Sequence, residues 1–155
     1  MKEEIESIVS YKLITTVFQP IFDIENEVII GYEALTRGPE NSPLHTPELL
    51  FQAAEEHNFQ SELDLLCRAN AINQFVALKL TGKLFINICL NVMLNKDHPY
   101  GETIKLVEQS GLSPQQVVIE ISEQSPFPNN DILLKALNKY RQFGFDIAID
   151  DLGAG

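Results

Sequence analysis

The sequence predicts a mixed α/β fold in which an antiparallel hairpin is followed by parallel strands that alternate with helices. Two apolar segments, residues 17–24 and 28–36, are separated only by a short polar turn. They are expected to pair antiparallel, because a parallel pair needs a long crossover. The remaining apolar segments, residues 84–89, 117–121 and 145–149, alternate with helical segments. This alternation is typical of a parallel sheet covered by helices.

The predicted helices carry recognisable start and stop signals. The Thr-Pro-Glu sequence at residues 46–48 is typical of a helix N-terminus, and this helix is expected to run to about residue 58. A second helix begins near residue 61 and has an apolar stripe that is expected to face the core. The stripe consists of Leu63, Cys67, Ala71, Phe75 and Leu78. Two further helices, at 101–110 and 130–144, are each ended by a glycine.

Composition limits the class of protein. The length of 155 residues is typical of one domain. The 22 acidic residues outnumber the 11 Lys and Arg residues and give a formal charge of −11. This charge disfavours non-specific contact with nucleic-acid polymers and with anionic membranes. It does not exclude a small anionic ligand, since a bound cation can reverse the local field.

No segment of the sequence indicates export or membrane insertion. The first five residues lack the basic and apolar regions of a signal peptide, and no apolar run approaches the ~20 residues of a spanning helix. Cys67 and Cys89 match no zinc or redox motif, so both are expected to be reduced, partly buried thiols of a cytoplasmic protein. The three histidines form no pair at ligand spacing and are expected at the surface. They are His45, His57 and His98.

Acidic and amide residues lie near the carboxyl ends of four successive strands, where sites form in α/β folds. They are Glu33, Asn87, Glu120 and Asp150, with Asp151 beside the last. Converging carboxylates would repel one another in a dry pocket, and a hard divalent cation relieves that repulsion. Because the set contains no Cys or His, Mg²⁺ or Mn²⁺ fits better than zinc. Asp151 can reach a second ion, and two metals suit in-line attack on a phosphodiester.

The second strand adds a positive charge to the same side. Glu33, Leu35 and Arg37 alternate along it and therefore point the same way. A carboxylate and a guanidinium aimed into one site suit a metal ion next to a phosphate.

Each of these residues also has an ordinary structural interpretation. A single Glu in a strand is often a solvated edge residue, and an Asn at a strand end is often a turn or cap. The pair of aspartates before residues 152–155 can be a turn followed by a helix cap. The coincidence at successive strand ends favours a site, and the residues alone indicate a metal-dependent phosphoester hydrolase.

The same residues resemble the EAL domain family, which hydrolyses the bacterial second messenger cyclic di-GMP. The matching segments occur in order from about residue 14, at 18–21, 33–37, 85–87, 120–123 and 150–155. The resemblance implies a TIM-like (β/α)₈ barrel with an antiparallel first strand, truncated here after about the fifth strand. Residues 1–13 would form a leader, and residues 14–155 would form a partial EAL domain.

The resemblance also implies individual roles. The metal ligands would be Glu33, Asn87, Glu120 and Asp150, with Asp151 on a second metal. Arg37 would contact a substrate phosphate, and Gln19 and Leu35 would line the ligand site. Glu123 would anchor the loop after the fifth strand. A metal-activated water would open one phosphodiester bond to give linear pGpG, in a domain that forms homodimers.

Two features depart from the family pattern. In the loop after the fifth strand, Leu152 stands where the family has Phe, and Ala154 stands where it has Thr. The general-base lysine of the family is expected beyond Gly155, and a barrel of this type needs roughly 250 residues. We therefore expect a fragment, cut by cloning or proteolysis or completed by a partner or swapped copy. An open half-barrel would leave residues 145–149 as an unpaired edge.

Three functions stay open at this point. The intact domain would be a cyclic di-GMP phosphodiesterase, a receptor that holds cyclic di-GMP without cutting it, or a protein-interaction domain with a vestigial site. Glu33 and Asp150 argue against degeneration, because both proposed metal ligands are present. Metal-dependent nucleotide binding would separate the first two functions from the third, and turnover would separate the first from the second.

Overall fold

A computed structural model of the chain describes residues 1–95, 97–122 and 130–150, without the side chains of Ser122, Asn130 and Asp150. Its centre is a five-stranded sheet in sequential order. The strands are β1 Thr15–Asp23, β2 Val28–Arg37, β3 Lys83–Ile88, β4 Val117–Ser122 and β5 Asp146–Asp150. Strands β1 and β2 pair antiparallel, and each later neighbour pairs in parallel. The predicted hairpin and parallel strands are confirmed.

The described helices lie before the first strand or between the parallel strands. They are α1 Lys2–Ser10, α2 Pro47–Glu56, α3 Gln60–Ala77, α4 Leu90–Met93, α5 Tyr100–Ser110 and α6 Asn130–Gln142, with a 3₁₀ turn at Pro114–Gln116. Thr46 caps α2 as predicted, its Oγ1 accepting the Leu49 N–H at 3.5 Å. Gly111 ends α5 with a φ of 88°, a conformation that favours glycine. Among the described residues, no helix is long and apolar enough to cross a bilayer.

The larger core cluster lies between the sheet and helices α3, α5 and α6. Along β3, Leu84, Ile86 and Ile88 are buried against these helices, whereas Phe85 and Asn87 point to the opposite face. The helix-covered face therefore stabilises the fold, and the other face is free to carry polar groups.

A smaller core cluster joins helices α1, α2 and α3. Ile5 and Ile8 of α1 are fully buried in it, beside Leu50 of α2 and Leu63 of α3. The segment expected to be a leader therefore packs its apolar side against the rest of the chain. The boundary at residue 13 stays a prediction.

Two expectations about exposure are wrong. Leu78 was assigned to the core stripe but is 57% exposed, because α3 ends at Ala77 and Leu78 is its C-cap residue. His98 was expected at the surface but is 7% exposed. Its imidazole packs edge-on against Tyr100, with ring centroids 4.7 Å apart, and its Nε2 shares a hydrogen bond with the Tyr140 hydroxyl.

Buried His98 is expected to make stability depend on pH. Burial, together with the positive charge of Arg68, lowers the pKa of His98 to about 4, against an ordinary value of 6.5. As the pH falls through this window, the unfolded chain binds a proton that the folded protein does not. The free energy of unfolding should therefore fall by about 2 kcal/mol between pH 7 and pH 5. Urea unfolding of the wild type and of His98→Gln checks this, and an equal loss in both proteins would assign the effect to other groups.

Candidate metal and phosphate site

Three predicted ligand residues lie side by side across the central strands. The Asn87 Nδ2 on β3 donates a hydrogen bond to the Glu33 Oε2 on β2, at 3.2 Å. Asn87 is also the register partner of Glu120 on β4. Glu120 is buried, Glu33 is half-buried and Asn87 is exposed. The sheet therefore presents carboxylate, amide and carboxylate groups in one row.

The register of β2 on β3 depends on Gly31. Gly31 pairs with Lys83, and a Cβ at this position would lie 2.2 Å from the Lys83 carbonyl oxygen. A side chain would force the two strands apart. The same register pairs Glu33 with Phe85, which places Glu33 within reach of Asn87 two residues later.

A pocket of about 240 Å³ opens at the carboxyl ends of β2 and β3. Its lining includes Glu33, Leu35, Arg37 and Asn87. The Arg37 Nη1 donates to the Thr36 carbonyl at 2.9 Å. Residues that carry a carboxylate, an amide and a guanidinium thus line one cavity, together with Cys67 and Arg68 of α3.

The remaining predicted site residues are placed only in part. Gln19 is exposed on β1 and is the register partner of Glu33. The backbone of Asp150 lies in β5 opposite Ser122, two residues beyond the pairing of Ala148 with Glu120. Asp151 and Glu123 lie outside the described residues, as do Leu152 and Ala154.

The oxygen groups present fit a hard divalent cation. Glu33, Asn87 and Glu120 offer oxygen donors and no sulfur or imidazole, which suits Mg²⁺ or Mn²⁺. The hydrogen bond from Asn87 to Glu33 shows that these two side chains lie close enough together to contact the same cation. Among the described side chains, no three Asp, Glu, His or Cys residues cluster. Within the described part, the groups that could contact a cation at this position are therefore two carboxylates and one amide.

A buried ion pair behind this site was missed by the sequence analysis. The Arg68 Nη2 lies 2.5 Å from the Asp64 Oδ2, one turn apart on α3. Asp64 is 2% exposed and Arg68 is 1% exposed. The signal in the sequence is a pair of charges at i and i+4 directly beside Leu63 and Cys67 of the apolar stripe. Such a spacing is compatible with a solvated pair, so burial could not be read from it.

The cysteines contribute no thiolate to the site. Cys67 is a buried free thiol, and burial raises its pKa to about 12. Cys89 is a half-buried free thiol whose pKa is also raised by burial, and its Sγ accepts a hydrogen bond from the Gln60 Nε2 at 3.1 Å. Both thiols therefore stay protonated at neutral pH.

The family model and the similar proteins agree on one family. The model of the EAL domain family matches residues 3–155. The probable cyclic di-GMP phosphodiesterase PdeA of Escherichia coli K12 is 29% identical over 141 residues, covering 88% of this chain and 19% of that protein. The blue light- and temperature-regulated antirepressor BluF of the same organism is 27% identical over 139 residues, covering 89% of this chain and 34% of BluF.

Solved structures agree with the fold. BlrP1 of Klebsiella pneumoniae, in a complex with calcium and cyclic di-GMP, superposes with a TM-score of 0.79 at 29% identity, covering 92% of this chain and 36% of that chain. A standalone EAL protein of Vibrio cholerae O395 in its cyclic di-GMP-bound form has a TM-score of 0.76 at 26% identity, covering 92% and 58%.

This chain therefore spans less than two thirds of each relative and structure compared. The match to EAL structures confirms the predicted TIM-like barrel architecture with an antiparallel first strand, of which the described residues form five strands. The family match extends over almost the whole sequence. The chain belongs to the EAL domain family.

Proposed function

We propose that this chain carries a metal-dependent site for cyclic di-GMP and that its EAL domain is a cyclic di-GMP phosphodiesterase. The observation that carries the proposal is the row of Glu33, Asn87 and Glu120 across three adjacent strands, with Arg37 lining the same pocket as Glu33 and Asn87. Relatives support it, since PdeA is named a probable cyclic di-GMP phosphodiesterase and NbdA of Pseudomonas aeruginosa a cyclic di-GMP phosphodiesterase. BlrP1 has been solved with cyclic di-GMP and with calcium or manganese.

In the proposed mechanism, oxygen ligands would hold Mg²⁺ or Mn²⁺ at the carboxyl ends of the strands. These ligands would be Glu33, Asn87, Glu120 and Asp150, with Asp151 serving a second ion. A bound divalent cation supplies Lewis-acid polarisation of the phosphodiester and lowers the pKa of a coordinated water. The role of the polypeptide would be to fix the ligands on four neighbouring strands, so that the acids are ordered before the substrate arrives.

Positioning of the substrate falls to residues around the pocket. The Arg37 guanidinium would bind a phosphate oxygen by a charge-assisted hydrogen bond. Gln19 and Leu35 would line the ligand site, and Glu123 would anchor the loop after β5. The product would be linear pGpG. We also propose a cytoplasmic homodimer formed through the EAL domain.

A turnover assay tests the reaction. The 155-residue chain, and a longer protein that includes it within a whole EAL domain, are incubated with cyclic di-GMP and Mn²⁺ or Mg²⁺. Products are separated by chromatography. Linear pGpG from the longer protein is expected. Nucleotide that is bound but not cut by either protein would instead indicate a receptor. The absence of both binding and turnover would refute the proposal.

Replacing Arg37 is expected to weaken nucleotide binding more than metal binding. Arg37→Ala removes a charge-assisted hydrogen bond to phosphate, so the Kd for cyclic di-GMP should rise by roughly ten-fold or more, while the Kd for Mn²⁺ changes little. Arg37→Lys keeps the charge but not the planar guanidinium group, so its Kd for cyclic di-GMP should lie between those of the wild type and Arg37→Ala. Calorimetric titration of each ligand measures the difference. An unchanged nucleotide Kd in Arg37→Ala would exclude the phosphate role.

A further inference from the structure

The Asp64 carboxylate lies inside the protein, behind the carboxyl end of β3. Its Oδ2 faces Arg68 on the next turn of α3, at 2.5 Å. Its Oδ1 accepts the backbone N–H of Cys89, at 3.3 Å. The two carboxylate oxygens therefore contact different elements: one contacts a side chain of the same helix, and the other accepts a hydrogen bond from the residue after β3.

Arg68 holds this carboxylate from the other side. Its Nη1 donates to the Thr103 Oγ1 on α5 at 2.5 Å, and Thr103 is fully buried. A guanidinium held at two points leaves the carboxylate of Asp64 little freedom to rotate. Contacts thus run without a break from α5 through α3 to the residue that follows β3.

Stability alone is a weak reason for such a pair. Burying two charges has a desolvation cost that their attraction often only balances, and apolar residues of similar volume frequently serve as well. What an apolar pair cannot do is accept a hydrogen bond from a chosen backbone N–H. The hydrogen bond from the Cys89 N–H is therefore the contact that distinguishes Asp64 from an apolar residue at this position.

Cys89 stands at the point where the chain leaves β3. It is the N-cap residue of α4, with φ −65° and ψ 126°. Asn87, two residues earlier, reaches across to Glu33. Asp64 and Asn87 also line a common cavity of about 440 Å³. Holding the Cys89 N–H therefore restrains the backbone next to the Asn87 amide, which contacts Glu33.

We propose that Asp64 is a positioning residue, which fixes the exit of β3 through the Cys89 N–H and thereby orients the Asn87 amide beside Glu33. The consequence for a metal rests on the proposed function. The consequence for the orientation of Asn87 does not, because the contact between Asn87 and Glu33 is present without a ligand.

Two double variants isolate the hydrogen bond to Cys89. Asp64→Asn with Arg68→Met removes both charges but keeps an oxygen acceptor, whereas Asp64→Leu with Arg68→Met removes the charges and the acceptor. Amide hydrogen exchange at Cys89, the NMR signal of the Asn87 side-chain amide and the Kd for Mn²⁺ are measured in each. In the Leu variant, exchange at Cys89 should be faster by about ten-fold and the Kd for Mn²⁺ should rise by about ten-fold, relative to the Asn variant.

A third variant removes the donor instead of the acceptor. The φ of Cys89 matches that of proline, so Cys89→Pro deletes the N–H without changing the backbone conformation. It should shift the Asn87 amide signal in the same direction as the Leu variant does.

Two results would overturn the positioning role. One is equal Cys89 exchange in the two double variants, and the other is an Asn87 signal that stays at the wild-type position in both the Leu variant and Cys89→Pro. A wild-type chain that binds no Mn²⁺ would count against the proposed function only, since the exchange and Asn87 measurements decide the positioning role without a metal.

Discussion

Glu33→Ala is expected to raise the Kd for Mn²⁺ by more than about 100-fold while leaving the fold intact. Glu33 supplies one of the two described carboxylates in the row, and its Oε2 also accepts the Asn87 Nδ2. Removing it takes away one ligand and the restraint on a second. The side chain is only half-buried, so its loss leaves no large cavity.

Mn²⁺ titration followed by electron paramagnetic resonance measures this effect, with circular dichroism as the check on folding. Glu25→Ala is the matched control, because Glu25 is an exposed carboxylate in the turn of the same hairpin. An unchanged Kd in Glu33→Ala, or an equal loss in the control, would contradict the assignment of Glu33 as a ligand.

Arg68→Met is expected to destabilise the protein by about 3 to 5 kcal/mol, because it leaves the Asp64 carboxylate buried without its counter-charge. Adding Asp64→Leu should recover part of this loss, because it removes the unpaired buried charge but also removes the acceptor of the Cys89 N–H. Urea unfolding measures both changes.

The exposed pair between Lys83 and Asp146 gives the control for a surface contact. Its atoms lie 2.9 Å apart, and its side chains are 46% and 59% exposed. Lys83→Met should therefore cost less than about 1 kcal/mol. If Arg68→Met lowers the free energy of unfolding by no more than Lys83→Met does, then breaking the buried ion pair is no more destabilising than breaking an exposed one.

Most of the sheet was predictable because each strand has a strong local pattern. The short polar turn before Val28 allowed only an antiparallel pair, and the apolar runs around Ile86 and Ile119 predicted buried parallel strands. The carboxyl ends of those strands then predicted which polar residues would meet. The contact between Glu33 and Asn87 follows from this register.

The features that were missed depend on tertiary contacts. Helix α4 is a single turn of four residues and is too short to show a helical period. The burial of His98 comes from Tyr100 and Tyr140, neither of which forms a local pattern with it. The ion pair of Asp64 with Arg68 has the spacing of an ordinary surface pair, and its partners Thr103 on α5 and Cys89 after β3 are distant in the sequence.

The most direct test of the proposed site is a calorimetric titration of cyclic di-GMP into the chain with Mn²⁺ and, separately, with EDTA. We expect cyclic di-GMP to bind the wild-type chain in the presence of Mn²⁺. Its Kd should be at least about ten-fold higher with EDTA, and also in Glu33→Ala with Mn²⁺. Equal affinity with Mn²⁺ and with EDTA, or no binding under either condition, would contradict a metal-dependent cyclic di-GMP site on this face of the sheet.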